Sequence, residues 1–253
     1  MTISRYLENE PVHIAANRVL GVDSIHKFGA VPSMSTGTTG TIWDKSDTLY
    51  PWSAFDTAGI LTVQTTAANG SVVTTDSGVS ITIVGLDANY NLTRETITIS
   101  GSTGTGTTSF KRVFRAYTSA NNTAEFRVSR GGVEVLRVDI GKAQTLMAIY
   151  TVPAGKIGFL LQLGVTIQAG ADATVDLFRR ESAVGAFRLS HSLEVSGGGS
   201  QYLYPFAAPI RFPEKTDIDV RANMRSNNAR CIATFDMIIM DKNLAGKADG
   251  GVS

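Results

Sequence analysis

The chain has 253 residues, 43% of them hydrophobic, enough for one large domain or two small ones with real cores. A formal charge of +1 with dispersed basic residues gives little long-range steering toward nucleic acid, and no run of about 18 apolar residues offers a membrane span. The single cysteine, Cys231, excludes an internal disulfide framework, while 25 glycines and the lack of a sustained 3.6-residue period point to an all-β protein.

The opening residues, Met1 to Glu10, lack the apolar core of a signal peptide, so synthesis in the cytoplasm is expected. Residues 1–55 read as an extended N-terminal arm, because proline, glycine and polar residues interrupt every apolar cluster. Ser35-Thr36-Gly37-Thr38-Thr39-Gly40-Thr41 reads as a flexible tract. Large aromatic side chains in an irregular segment need somewhere to be buried. Phe28, Trp43, Tyr50 and Trp52 are therefore candidate subunit contacts, with packing on their own chain as the alternative.

Residues 56–142 read as a small β-sandwich. Strands are expected at 60–65, 79–83, 95–100, 110–117, 125–130 and 134–140, and Gly85-Leu86-Asp87-Ala88-Asn89-Tyr90-Asn91 forms a hairpin turn. Residues 143–241 read as a second, jelly-roll-like sandwich organised around the strand 156–168. There Ile157, Phe159, Leu161, Leu163, Val165 and Ile167 share one parity and should share one face. Further strands are expected at 145–152, 173–180, 185–195, 202–212, 217–224 and 230–240, with Ser196-Gly197-Gly198-Gly199-Ser200 as a hairpin loop and 242–253 as a solvated tail.

No motif for chemistry survives its own requirements. Asp87-Ala88-Asn89-Tyr90-Asn91 opens like a calcium loop, but Leu92 and Thr98 stand where glycine and glutamate are needed. Gly101 to Gly106 is followed by a strand, not by the helix that would offer its N-terminus to phosphate. His13, His26 and His191 have no second ligand at metal spacing, and no Gly-x-Ser-x-Gly elbow occurs. Cys231 lies in an apolar alternating run and reads as a buried, inert thiol. Glu181, after Arg179-Arg180, reads as an ion-pair partner. The acids of Pro213-Glu214-Lys215-Thr216-Asp217-Ile218-Asp219-Val220 read as the outward, solvated or subunit-facing side of a strand. Phe110-Lys111-Arg112-Val113-Phe114-Arg115-Ala116-Tyr117 is locally like a base-stacking platform, but the overall charge favours a strand with a basic outer face.

Seven stretches together resemble a family of virion structural proteins from tailed phages, notably of marine and cyanobacterial hosts. They are Ile25-His26-Lys27-Phe28-Gly29, Thr41-Ile42-Trp43-Asp44, Tyr50-Pro51-Trp52, Gly85-Leu86-Asp87-Ala88-Asn89-Tyr90, the basic-aromatic stretch from Phe110 to Ala116, the run from Gln144 to Gly155, and the run from Phe212 to Ala222. The resemblance implies a particle component without cofactor, metal or catalytic residues. It further implies partners among other copies of itself and among major capsid or tail and connector proteins; by analogy with other jelly-roll sandwiches a trimer is favoured, and the near-neutral charge and missing apolar run set aside direct nucleic-acid and membrane contact. A capsid decoration or cement protein is the leading expectation. A connector or fibre-base subunit, or a host-glycan-binding module on the particle, is the alternative.

Overall fold

In a computed structural model, the described residues are 10–45, 47–183, 185–196 and 201–245. The expected loop at 197–200 and most of the expected tail lie outside them. The fold is all-β: the described residues form sixteen strands in antiparallel sheets, one short helix, α1 (Glu10–Ala15), and two short 3-10 turns.

Residues 62–138 make two facing sheets. One has the order β6-β3-β8-β9, from β3 (Thr62–Thr66), β6 (Thr103–Thr105), β8 (Glu125–Arg130) and β9 (Val133–Val138). The other is β5-β4-β7, from β4 (Ser80–Leu86), β5 (Leu92–Thr98) and β7 (Arg112–Thr118). Period-2 alternation puts Val63, Phe126 and Val128 of one sheet and Ile81, Ile83 and Ile97 of the other into the same buried core.

The second pair of sheets winds as three ribbons. Strands β11 (Lys156–Ile167) and β12 (Asp172–Arg180) are central, one in each sheet. On one side lie β13 (Arg188–Val195) and β14 (Gln201–Phe212); on the other lie β15 (Asp217–Ser226) and β16 (Ala229–Asp241). This is the jelly-roll-like sandwich expected from the sequence. The short β10 (Ile149–Thr151) and β2 (Thr39–Thr41) follow one another along the free side of β15. Buried apolar side chains of both sandwiches belong to one continuous core.

Two features depart from the sequence reading. First, the extended N-terminal stretch is built into the second sandwich. β1 (Val22–Met34) pairs with β16 from Val22↔Met240 to Met34↔Ala229. The alternation of β1 is hidden because two of its inward positions are Lys27 and Gly29. Lys27 is buried and donates from Nζ to the Phe114 carbonyl. At Gly29 a β-carbon would lie 2.3 Å from the Ala148 nitrogen, so only glycine lets the chains approach. Second, the six alternating residues of β11 do not share a face. A bulge at Leu161 shifts the register between Leu160↔Met237 and Gln162↔Asp236. Gly158 and Leu160 face the core before it; Leu163, Val165 and Ile167 do so after it. One extra residue reverses the parity, and so Phe159 and Leu161 emerge on the outer face.

Candidate functional site

Three of the four aromatic residues singled out in the arm are covered by their own chain. Trp43, Tyr50 and Trp52 are buried, at 1%, 3% and 6% exposure, and Phe28 is half-buried on β1. No neighbouring subunit is needed to cover the first three. They form an edge-to-face run, with ring centroids 5.2 Å apart for Trp43–Tyr50 and 4.9 Å for Tyr50–Trp52, and Phe55 stacks on Tyr50 at 6.5 Å. Residues 50–55 form a wedge between the two sandwiches: the Trp52 indole donates to Asp219 of the second, and the Phe55 carbonyl accepts from Arg112 of the first.

Around that wedge lies a cluster of charge. Asp217 and Asp219, on one face of β15, are fully buried. They were expected to face outward; the difference arises because Arg112 and Arg180 from distant strands, and Arg221 from the same face of β15, converge on them. Arg112 of β7 donates from Nε to Asp217 Oδ1 at 2.8 Å and from Nη2 to Oδ2 at 3.0 Å. Arg180 of β12 adds two bonds to Oδ2, at 3.0 and 2.7 Å, and the Thr151 hydroxyl donates to Oδ1 at 2.7 Å. Asp219 accepts from the Trp52 indole at 3.0 Å, the Thr41 hydroxyl at 2.9 Å and Arg221 Nε at 2.9 Å. Burial draws the Arg112 guanidinium down, but the bonds and charge of Asp217 outweigh it and hold its pKa above the ordinary value.

The cations alternate with rings. Arg221 lies between Phe178 and Phe187, at 4.3 and 4.8 Å from their centroids. Arg180 lies between Phe187 and Trp52, at 4.6 and 5.6 Å. Arg112 lies between Trp52 and Tyr90, each at 5.6 Å, and Lys215 sits over Tyr90 at 5.6 Å. A desolvated cation over an aromatic face contributes about 2 kcal/mol. Because Arg112 belongs to the first sandwich and Asp217 to the second, the ladder fixes one sandwich against the other. Sequence reasoning missed it because the partners are 105 positions apart; the one local signal was Arg112 on the same parity as Phe110 and Phe114.

The other motifs settle into structural roles. Asp87 Oδ1 accepts from the backbone of Asn89 and Asn91, at 2.8 and 2.9 Å, so this carboxylate closes its own turn. Phe110, Arg112 and Phe114 of the basic-aromatic stretch are buried and present no stacking platform. Glu181 pairs with Arg179 at 3.6 Å, as its neighbours suggested. Burial pushes the Cys231 thiol up to about 12. His26 donates to Asp236 at 2.5 Å, but no hydroxyl or thiol bonds to its ring among the described residues. No group of three or more His, Cys, Asp or Glu side chains that could hold a metal occurs among those residues, and none of their helices is long and apolar enough to cross a membrane.

The opposite side of the second sandwich is open. Strand β14 is an edge strand, and its register with β11 jumps from Gln162↔Pro205 to Leu160↔Ile210. Phe206-Ala207-Ala208-Pro209 therefore stands off the ladder. Tyr202 and Leu203 are 44% and 53% exposed, and Leu189 on β13, the edge of the facing sheet, is 56% exposed. Between the edges His191, Tyr204 and Phe206 form a ring cluster, with centroids 4.4 to 5.2 Å apart. Burial lowers the His191 pKa. Pro205 and Pro209 lack N–H donors, which blunts the edge against addition of another strand. What remains uncovered is side-chain surface.

No protein-family model matches the chain, and no curated protein matches it. Among solved structures it is similar to that of the infectious bursal disease virus Gt strain, at 10% identity over 86% of this chain and 70% of that one, with a TM-score of 0.22. It is also similar to that of the Gx strain, at 9% identity over 87% and 72%, with a TM-score of 0.25. TM-scores this low carry no inference about the role of this chain.

Proposed function

We propose that the chain is a non-enzymatic virion structural protein of a tailed phage, a capsid decoration or cement protein that self-associates and binds the major capsid protein through its sandwich surfaces. The sequence resemblance to phage virion proteins supplies the setting. The observation that carries the reading is the apolar edge formed by Leu189, Tyr202, Leu203 and the 206–209 bulge, presented on a body whose sandwiches are locked together. Large apolar side chains left exposed along a free edge mark an interaction surface, and a strand edge blunted by proline is suited to side-chain packing against a second copy. A host-glycan groove would call for an exposed tryptophan or tyrosine beside paired acids; both Trp43 and Trp52 are buried, and the exposed Tyr202 stands on the apolar edge next to Leu203.

The test is light scattering of the full chain, wild type and Leu203→Glu, with binding to purified capsids measured in parallel. The expected result is a closed oligomer, a trimer by analogy with other jelly-roll sandwiches, that falls to monomer in the variant and loses capsid binding with it. A wild-type monomer that decorates capsids equally well with and without the substitution would remove the edge from the assembly role. A wild-type chain that binds no capsid would remove the decoration role itself.

A further inference from the structure

The sheet that ends in β14 on one side ends in β1 on the other, and β1 carries no proline before Pro32. The bonds near its two ends fix which way its backbone points. Asp241 of β16 donates from its backbone N–H to the Gly21 carbonyl, so the odd-numbered residues bond to β16. Ala30 donates away from β16, to the Leu146 carbonyl at 3.3 Å. The register from Val22↔Met240 to Val31↔Cys231 is unbroken, so the alternation holds between them. Ser24 and His26 therefore direct their N–H and C=O groups away from the sheet. Both residues are exposed, and these groups have no hydrogen bond among the described residues. Beside this edge lies a cavity of about 580 Å³ between the sandwiches. One wall is β1 from Asp23 to Lys27; the other includes the exposed Leu92, Phe114 and Arg115 of the first sandwich.

We propose that this edge and cavity bind an extended, acidic segment of a partner protein, which adds as a strand to β1 at Ser24 and His26, lays apolar side chains on Leu92 and Phe114, and sets a carboxylate between Lys27 and Arg115. Open backbone groups give such recognition its affinity, and the side-chain contacts beside them give it specificity. Charge selects the acidic class. Lys27 donates to the Phe114 carbonyl and Arg115 to Gln144 at 3.5 Å, and neither pairs with a carboxylate among the described residues. The other charges at the cavity are matched: Lys156 with Asp241 and Asp23, and His26 with Asp236. Burial, and then the charge of Arg115, lower the Lys27 pKa to about 7, and a carboxylate between the two cations offsets the second effect. A basic segment would add to that repulsion. The β14 edge offers no comparable site, since Pro205 and Pro209 interrupt its donors.

The experiment follows amide hydrogen exchange in the full chain, with an end-blocked peptide alternating valine and glutamate as the probe. In the chain alone Ser24 and His26 should exchange fast and Ile25 and Lys27 slowly, because only the latter bond to β16. Excess peptide should slow Ser24 and His26 several-fold, and a peptide alternating valine and lysine should not. Ser24→Pro removes one outward N–H and no bond to β16, so this variant should unfold like the wild type and lose the protection at His26. Slow exchange of Ser24 and His26 in the chain alone at every concentration would mean that the chain covers its own edge. Slowing that grows with the concentration of the chain alone would mean that a second copy covers it. Either outcome overturns the proposal, as does no slowing with the glutamate peptide or equal slowing with the lysine peptide.

Discussion

The junction between the sandwiches and the free edge of β13 and β14 invert the usual arrangement of a globular protein. The junction is charged and closed: Asp217 and Asp219 have no solvent exposure, and every carboxylate oxygen has a donor. The edge is apolar and open, with Leu189 and Leu203 more than half exposed. Buried ion pairs contribute little net stability relative to a well-packed apolar core, but they fix one geometry. An exposed apolar edge does not stabilise the isolated chain; it becomes favourable only when covered. The difference assigns the regions separate tasks: the junction sets how the sandwiches are held, and the edge is available to a partner.

The sharpest way to break that contrast is at Asp217. Asp217→Ala leaves Arg112 and Arg180 buried without their carboxylate, and removing one partner of a buried pair costs about 3–5 kcal/mol. Chemical unfolding should show that loss. The double variant Asp217→Leu/Arg112→Met should recover part of it, because Arg112 is no longer stranded, while Arg180 still lacks its carboxylate. A loss under 1 kcal/mol in the single variant would mean that water reaches the junction and that it locks nothing.

Trp52→Ala should come next, at about 3 kcal/mol or more, from lost ring volume and an Asp219 oxygen deprived of its indole donor. This variant also separates two fates of the N-terminal aromatics. Burial in cis requires lower thermal stability at unchanged mass in light scattering. A change of mass without loss of stability would move Trp52 from the junction to a subunit contact.

How much of this could be read in advance follows from locality. The strands of residues 62–138 other than β6, whose Thr-Gly-Thr carries no apolar residue, and β12 to β16 show in the sequence because a polar and an apolar residue alternate on a half-buried sheet. β11 was found as a strand, but its facing was misread, since a bulge leaves no mark in the alternation it reverses. β1 was read as irregular because Lys27 and Gly29 occupy inward positions. The acids of β15 looked solvated because neither Arg112 nor Arg180 is near them in sequence. Both faces of that strand are covered, a property of what packs on it and not of its own residues. The edge, by contrast, was legible as a strand and not as a surface, because exposure depends on which strand ends up last in the sheet.

Lys27 provides a smaller and pH-dependent test near the junction. Burial, aided by the charge of Arg115 and opposed by that of Asp44, lowers its pKa from 10.5 to about 7. The sign follows from proton counting. Between pH 7 and 10.5 the unfolded chain holds a proton that the folded chain has released, so this group makes the fold more stable as pH rises, by up to about 1.4 kcal/mol per pH unit. Asp44 acts in the opposite direction: burial raises its pKa, so stability from this group is full below the unfolded value of 3.8 and is lost as pH rises. Unfolding measured from pH 7 to 10 should steepen downward in Lys27→Met relative to wild type, because the rise supplied by Lys27 disappears. Identical pH profiles would show that Lys27 stays charged in the folded chain.

The edge should give the smallest stability change and the largest change of state. Leu203 lies on the outer face opposite Gly164 and is 53% exposed, so Leu203→Glu removes little buried area from the isolated chain. A surface substitution of this kind stays within about 0.5 kcal/mol. If the edge is covered in an assembly, the same glutamate places an unpaired charge in an apolar interface, where it has no counterpart to the three arginines of the junction. Unfolding of the variant should therefore match that of dissociated wild-type chains, while its mass in light scattering should not match the wild type at assembling concentrations. A Leu203→Glu chain that unfolds several kcal/mol more readily than the dissociated wild type would show instead that β14 is held by its own sandwich and belongs with the closed region.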